Sequence, residues 1–147
     1  MEKTIANWFR ASTPQPQPQN LSTQLGCHFE EVAEMLDTLN GHSEYAQYVL
    51  SNALNALEVL SNYCKENAGM ITLEEGMRAE FLDAICDQVV TGMGCAVLHN
   101  MDPHFALIEV NRSNWSKFVN GQPVRDPNTQ KIMKGPDYFK PDLSKFV

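Results

Sequence analysis

Positive charge is missing from most of this 147-residue chain. No Lys or Arg occurs between Arg10 and Lys65, and none between Arg78 and Arg112. The net charge of −7 argues against a protein built mainly to grip nucleic acid, which needs a basic surface for the phosphates. No run of about 18 apolar residues is present, so no transmembrane helix is expected. Met1 to Arg10 carries Trp8 and Phe9 but no apolar core of the secretory kind, so no signal peptide is expected. The four cysteines, Cys27, Cys64, Cys86 and Cys95, show no C-x-x-C pairing. Free thiols in a reducing cytoplasm are expected, and a zinc site is not. His28, His42, His99 and His104 have no metal spacing with cysteine. No Ser-His-Asp or Cys-His arrangement stands out. No P-loop occurs, so any phosphate would have to be held by metal and side chains.

What is there is unevenly spread. Residues 112–147 hold seven of the 11 cations and three acids, a local charge of +4. The other residues hold four cations and 15 acids, a charge of −11. An acidic body with a basic tail can bring divalent cations and phosphates to one site; the plainer alternative is a solvated acidic surface with the tail folded back on it.

The length suits a single domain. Periodicity and caps predict a short helix over Thr4–Ser12. A non-helical Pro/Gln spacer follows over Thr13–Gln19. A helix is expected from about Leu21 to Asn40, capped by Asn20 or Ser22. A second, capped by Ser43, runs to about Asn67. Thr72 and Glu75 have capping-box spacing for a third, about Leu73 to Asn100. Asp102-Pro103 opens a fourth, about His104 to Val119. No strand shows convincing alternation. The expectation is an all-α helical bundle of four to five helices with an irregular C-terminal tail. Its divisions are 1–19 for the short helix and spacer, 20–119 for the helical domain, and 120–147 for a basic tail packing on it. The helix over Ser43–Asn67 is apolar on much of its circumference, which points to a homodimer or homotetramer.

Two rows of carboxylates carry the candidate chemistry. Glu30, Glu34 and Asp37 share one face of the first long helix, with Glu31 about 60° beyond Glu34. Glu80, Asp83 and Asp87 occupy a stripe about 60° wide on the third, facing away from Leu82, Ile85, Val89 and Met93. One such row alone most often just faces water. Surface helices interleave signs, because like charges four residues apart repel. Two rows with no cation beside either make hard-oxygen binding of Mg²⁺ or Mn²⁺ between facing helices the sharper reading.

The order Glu31-x-x-Glu34, spacer, Glu80-x-x-Asp83 resembles the all-α nucleoside triphosphate pyrophosphohydrolases, which include MazG-like enzymes, dimeric dUTPases and phosphoribosyl-ATP pyrophosphohydrolase. The family's last Asp precedes a long apolar run, and Asp87 before Val89, Val90 and Met93 suits that better. The expected ligands are therefore Glu31, Glu34, Asp83 and Asp87, with Glu80 and Asp83 as the other register. The spacer is longer than in typical MazG-like chains. Ala106–Phe118, ending in Asn114-x-x-Lys117-Phe118, resembles the family's closing helix. Lys134-Gly135-Pro136-Asp137-Tyr138-Phe139 and Pro141-Asp142-Leu143 resemble the tail of its phage and bacterial branch. The likeness runs from about Leu25 to Leu143 and leaves out the Pro/Gln spacer.

The resemblance implies a Mg²⁺-dependent hydrolase that converts a (d)NTP to the monophosphate and pyrophosphate in nucleotide-pool control. A phage-encoded chain would do so in the host cytoplasm. In that reading Glu30, Glu31 or Glu34 handles the attacking water. Arg112, Lys117 and Lys134 contact phosphates, Asn111 and Asn114 bind sugar or phosphate, and Tyr138 belongs to the substrate side. No stable nucleic-acid or membrane partner is expected. The alternatives are phosphoribosyl-ATP or dUTP as substrate, or a non-enzymatic helical protein whose apolar second helix binds a partner.

Overall fold

The computed structural model describes residues 2–128 and 131–147. Met1 in the N-terminal stretch, and Thr129 and Gln130 in the expected tail, lie outside the described residues. The described residues form an all-α fold with one small hairpin: α1 (Ile5–Ser12), α2 (Pro18–Asp37), α3 (Glu44–Glu66), α4 (Arg78–Leu98), α5 (Pro103–Trp115), β1 (Phe118–Val119) and β2 (Gln122–Pro123). They group into two compact units. One comprises Met1–Pro14, Leu73–Arg125 and Ile132–Val147; the other comprises Gln15–Thr72 and Asp126–Lys131. Helix α1 packs with α5, and α2 and α3 pack with each other.

The α2–α3 unit is an antiparallel helix hairpin with a seam of small residues. Ser61 Oγ donates to the Gly26 carbonyl at 2.8 Å. Gln19 Nε2 reaches the Lys65 carbonyl at 3.1 Å, and the Gly69 amide donates to Ser22 Oγ at 2.9 Å. Contacts that climb one helix while descending the other fix the antiparallel sense. Gly26 is needed here: a Cβ in its place would lie 2.7 Å from the Ser61 carbonyl oxygen. Ala33 and Cys64 are buried in the same unit. Small side chains let two backbones approach, and a buried hydroxyl that donates to a carbonyl contributes about 1 kcal/mol.

Caps explain where the helices begin. Thr4, Ser43 and Asp102 accept from the amides of Asn7, Ala46 and Phe105, as a helix start requires. Helix α2 begins at Pro18, earlier than expected and inside the predicted spacer. Proline is at home in the first helical turn, whose amides have no intrahelical acceptor. Asn20 lies inside this helix, and its Oδ1 accepts from the Gln17 amide at 2.9 Å. Helix α4 starts later than expected, at Arg78, with Met77 as its cap. Gly76 takes φ +90°, outside helical space, so the Thr72–Glu75 spacing does not act as a capping box. Asn100, at φ 60°, stands just beyond the other end of α4.

The region expected to be wholly irregular contains the β1–β2 hairpin, with Val119 opposite Gln122. Asn120 and Gly121 both have positive φ, the requirement of a two-residue type I′ turn. Helix α5 accordingly stops at Trp115 and not near Val119.

In the other unit, Trp8 of α1 supplies the one buried large aromatic among the described residues. Its Nε1 donates to the Asn114 carbonyl at 2.8 Å, and its ring meets Phe9 and Phe118 edge-on. The tail is held against α5: Ser113 Oγ donates to the Phe139 carbonyl at 2.7 Å and the Phe139 amide to Ser116 Oγ at 3.1 Å. The Phe146 carbonyl accepts from the Asp102 amide at 2.8 Å.

Helix α4 differs from the rest. None of its residues is buried. By length and composition it also suffices to cross a membrane, in contrast to the expectation from unbroken apolar runs. From Phe81 to Leu98 its charges are Asp83 and Asp87. Carboxylates at that depth in a bilayer would be expensive.

Candidate functional site

The two carboxylate rows form as the helical periodicity requires, one on α2 and one on α4. Their chemistry differs. Glu30 is not unbalanced: Lys65 Nζ lies 2.9 Å from Oε1 and Lys131 Nζ 3.1 Å from Oε2. This corrects the expectation that neither row has cations beside it. Lys65 arrives from the antiparallel α3, and Lys131 from a segment distant in the chain, so neither shows as a neighbour in sequence. Burial works against the Glu30 carboxylate, but the two ammonium groups outweigh it and hold the group below its ordinary range. Burial likewise opposes charge on Lys131, while Glu30 bonds to it and raises it. Burial pushes the Cys27 thiol up despite Lys131 and Lys65 nearby, which keeps it a neutral thiol.

Glu31 and Glu34 on α2, and Glu80, Asp83 and Asp87 on α4, are exposed and make no ion pair among the described residues. Glu31 is close enough to Lys131 to raise its affinity for the proton through space. Their free lone pairs are available to a hard cation. Among the described residues no three His, Cys, Asp or Glu side chains gather into a ready metal-holding group.

The expected substrate residues lie in the unit that contains α5, and most are engaged. Asn111 Nδ2 donates to the Lys3 carbonyl at 2.6 Å. Asn114 accepts from Trp8 through its backbone carbonyl. The Lys117 ammonium stands 5.9 Å from the centre of the Trp8 ring. Arg112 forms a two-pronged pair with Glu109 at 3.0 Å for each bond, and lies over Phe139 at 4.7 Å. That pair holds the Glu109 carboxyl below its ordinary value. Lys134 sits 5.0 Å above the Tyr138 ring. Lys134 is exposed and can still meet an anion from above the ring, whereas Lys117 is half-buried. Arg112 does so only by sharing or leaving Glu109.

Sequence reasoning missed α1 as part of this region, because the Pro/Gln stretch marks it off as an appendage. The signal was Trp8-Phe9, an aromatic pair on a short amphipathic helix. It also missed Lys65, although that residue is the one cation between Arg10 and Arg78. Two hollows lie away from the candidate carboxylates. One, of about 750 Å³, surrounds the α2–α3 turn at Leu39, His42, Tyr45 and Val49. Another, of about 300 Å³, is apolar and lies among Met93, Met101, Ala106, Leu143 and Phe146.

No family model, curated protein or solved structure matches the chain. The likeness to the pyrophosphohydrolases therefore rests on the motif residues themselves.

Proposed function

We propose that this chain is a Mg²⁺-dependent nucleoside triphosphate pyrophosphohydrolase. The observation that carries the reading is the set of exposed carboxylates, Glu31, Glu34, Asp83 and Asp87, free of ion pairs among the described residues. Other acids of the same chain, Glu30 and Glu109, are tied to cations. Each row by itself offers hard carboxylate oxygens of the kind that suit Mg²⁺ or Mn²⁺, with Glu80 as a further ligand in the alternative register. A bound Mg²⁺ supplies charge neutralisation for the phosphate oxygens.

The chain's own groups do the rest. Glu34 or Glu31 accepts a proton from the attacking water, a role for which Glu30, already shared between two lysines, is poorly placed. Lys117 and Lys134 pair with the phosphates, and Arg112 joins them on releasing Glu109. Asn111 and Asn114 line the sugar side, with Tyr138 beside Lys134. Water attack between the α and β phosphates, as the motif resemblance implies, releases pyrophosphate. The substrate is a (d)NTP, with dUTP and phosphoribosyl-ATP as narrower choices within the same chemistry.

The deciding experiment is pyrophosphate release from a panel of (d)NTPs, dUTP and phosphoribosyl-ATP, with Mg²⁺ and with chelator. Release that needs Mg²⁺ is expected. Silence on every nucleotide, together with no calorimetric Mg²⁺ binding, would leave the helical interaction protein as the better reading. The exposed apolar surface of α4 is the observation that favours that second possibility.

A further inference from the structure

The carboxylate of Glu109 on α5 sits among groups that suit an anion. Arg112 gives it the N–H groups of Nε and Nη2, each at 3.0 Å. The Asp142 amide donates to its Oε1 at 3.4 Å, a long bond. Lys145, which is exposed, acts on it through space. The guanidinium is fixed from its face by Phe139 at 4.7 Å, and Ser113 and Ser116 hold the Phe139 backbone. The Asp142 carboxylate is turned to its own loop, where Oδ1 accepts from the Ser144 amide at 3.1 Å and the Ser144 hydroxyl at 2.7 Å. A guanidinium fork, a backbone N–H and an ammonium thus surround one carboxylate, all within the unit that contains α5.

We propose that this is an oxyanion subsite plugged by Glu109, and that a phosphate group of the ligand displaces the carboxylate from it. The inference deepens the nucleotide reading and rests on its assignment of Arg112 to a phosphate. Three observations carry it. The first is shape: carboxylate and phosphate present the same two-oxygen edge to a guanidinium. The second is capacity. A phosphate brings a third acceptor oxygen and more charge, and so uses the Asp142 amide that Glu109 holds only at 3.4 Å. The third is access. The Glu109 side chain is 16% exposed and that of Arg112 67%, so an arriving anion meets the guanidinium first. Arg112 Nη1 makes no bond among the described residues, so a phosphate lands there while Glu109 still holds the other edge. In the empty site the plug keeps the fork and the amide paired. Lys145 thereby becomes a phosphate-side residue.

The test is calorimetric titration of the full chain with inorganic tripolyphosphate in Mg²⁺, which is independent of the base. Glu109→Gln removes the competing charge and is expected to tighten binding about 10-fold, whereas Arg112→Gln weakens it about 10-fold. Lys145→Gln, an exposed change that leaves every hydrogen bond of the seat in place, should weaken it about 3-fold. Circular dichroism checks that each variant is folded, and Lys145→Gln decides should Glu109→Gln not be. Binding that Glu109→Gln weakens or leaves unchanged, or that Lys145→Gln leaves unchanged, overturns the plugged subsite even where Arg112→Gln still binds less. A wild-type chain that binds no tripolyphosphate, or an Arg112→Gln chain that binds it as tightly, overturns the phosphate role of Arg112 and the subsite with it. The expected order of affinities in a chain that releases no pyrophosphate from any nucleotide would support the subsite and sink the hydrolase.

Discussion

Helices α2 and α3 close on each other through Gly26, Ala33, Ser61 and Cys64, and the seam between them is buried and hydrogen-bonded. Helix α4 is comparable in length, at 21 residues against 20 and 23, and is richer in aliphatic side chains, yet it buries none of its residues. Apolar content alone therefore does not decide what is buried. A glycine and a serine placed where two backbones cross did more for burial in the hairpin than Leu82, Val89 and Val90 did in α4. The comparison extends to the acids. The α2 row is partly neutralised through Glu30, Lys65 and Lys131, whereas the α4 row has no ion pair among the described residues.

The sharpest way to break that comparison is to remove one proposed ligand from each row. Glu34→Gln and Asp87→Asn are each expected to lower Mg²⁺-dependent pyrophosphate release by about 100-fold or more, the usual loss for a group acting on the transition state. Wild-type turnover in either variant removes that residue, and in both variants the metal assignment itself. The next largest effect concerns the seam. Gly26→Ala is expected to lower stability by about 1–3 kcal/mol in urea titrations, because the backbone of Ser61 cannot give way. Gly94→Ala on α4 meets no atom within 4 Å. It should instead raise stability by about 0.5–1 kcal/mol through helix propensity.

A smaller effect is expected at Glu30. Glu30→Gln should cost about 1–2 kcal/mol, since it removes charge-assisted bonds to Lys65 and Lys131. The sign with pH follows from the lowered carboxyl. Its stabilisation is fully present above the ordinary value of 4.5 and is lost as pH falls below it, through the depressed value of the folded chain. Thermal melts of the wild-type chain and Glu30→Gln should therefore converge in acid and separate towards neutrality. A comparably small loss, about 1 kcal/mol in the same urea titrations, is expected for Ser43→Ala at the cap of α3.

Much of the fold was legible beforehand. Thr4, Ser43 and Asp102 are capping residues by chemistry, and each stands where a helix begins. The misreadings have local causes. Pro18 was counted as spacer although a first-turn proline costs a helix nothing. Thr72–Glu75 has the spacing of a capping box, but Gly76 turns the chain out of helical space immediately after it. Asn120-Gly121 was a hairpin signal hidden by the shortness of its strands.

Periodicity and composition by themselves determined that the chain is helical and that its acids form two rows, because a residue's face follows from its position modulo the helical turn. They also determined the cationic character of the tail. Only the tertiary structure decided which acids have partners, since Lys65 and Lys131 reach Glu30 through chain reversals that no local pattern encodes. It alone decided that α1 docks on α5 through Trp8, and that the most aliphatic helix buries none of its residues. Burial depends on which surfaces can approach closely, and that is a property of pairs of helices, not of either sequence alone.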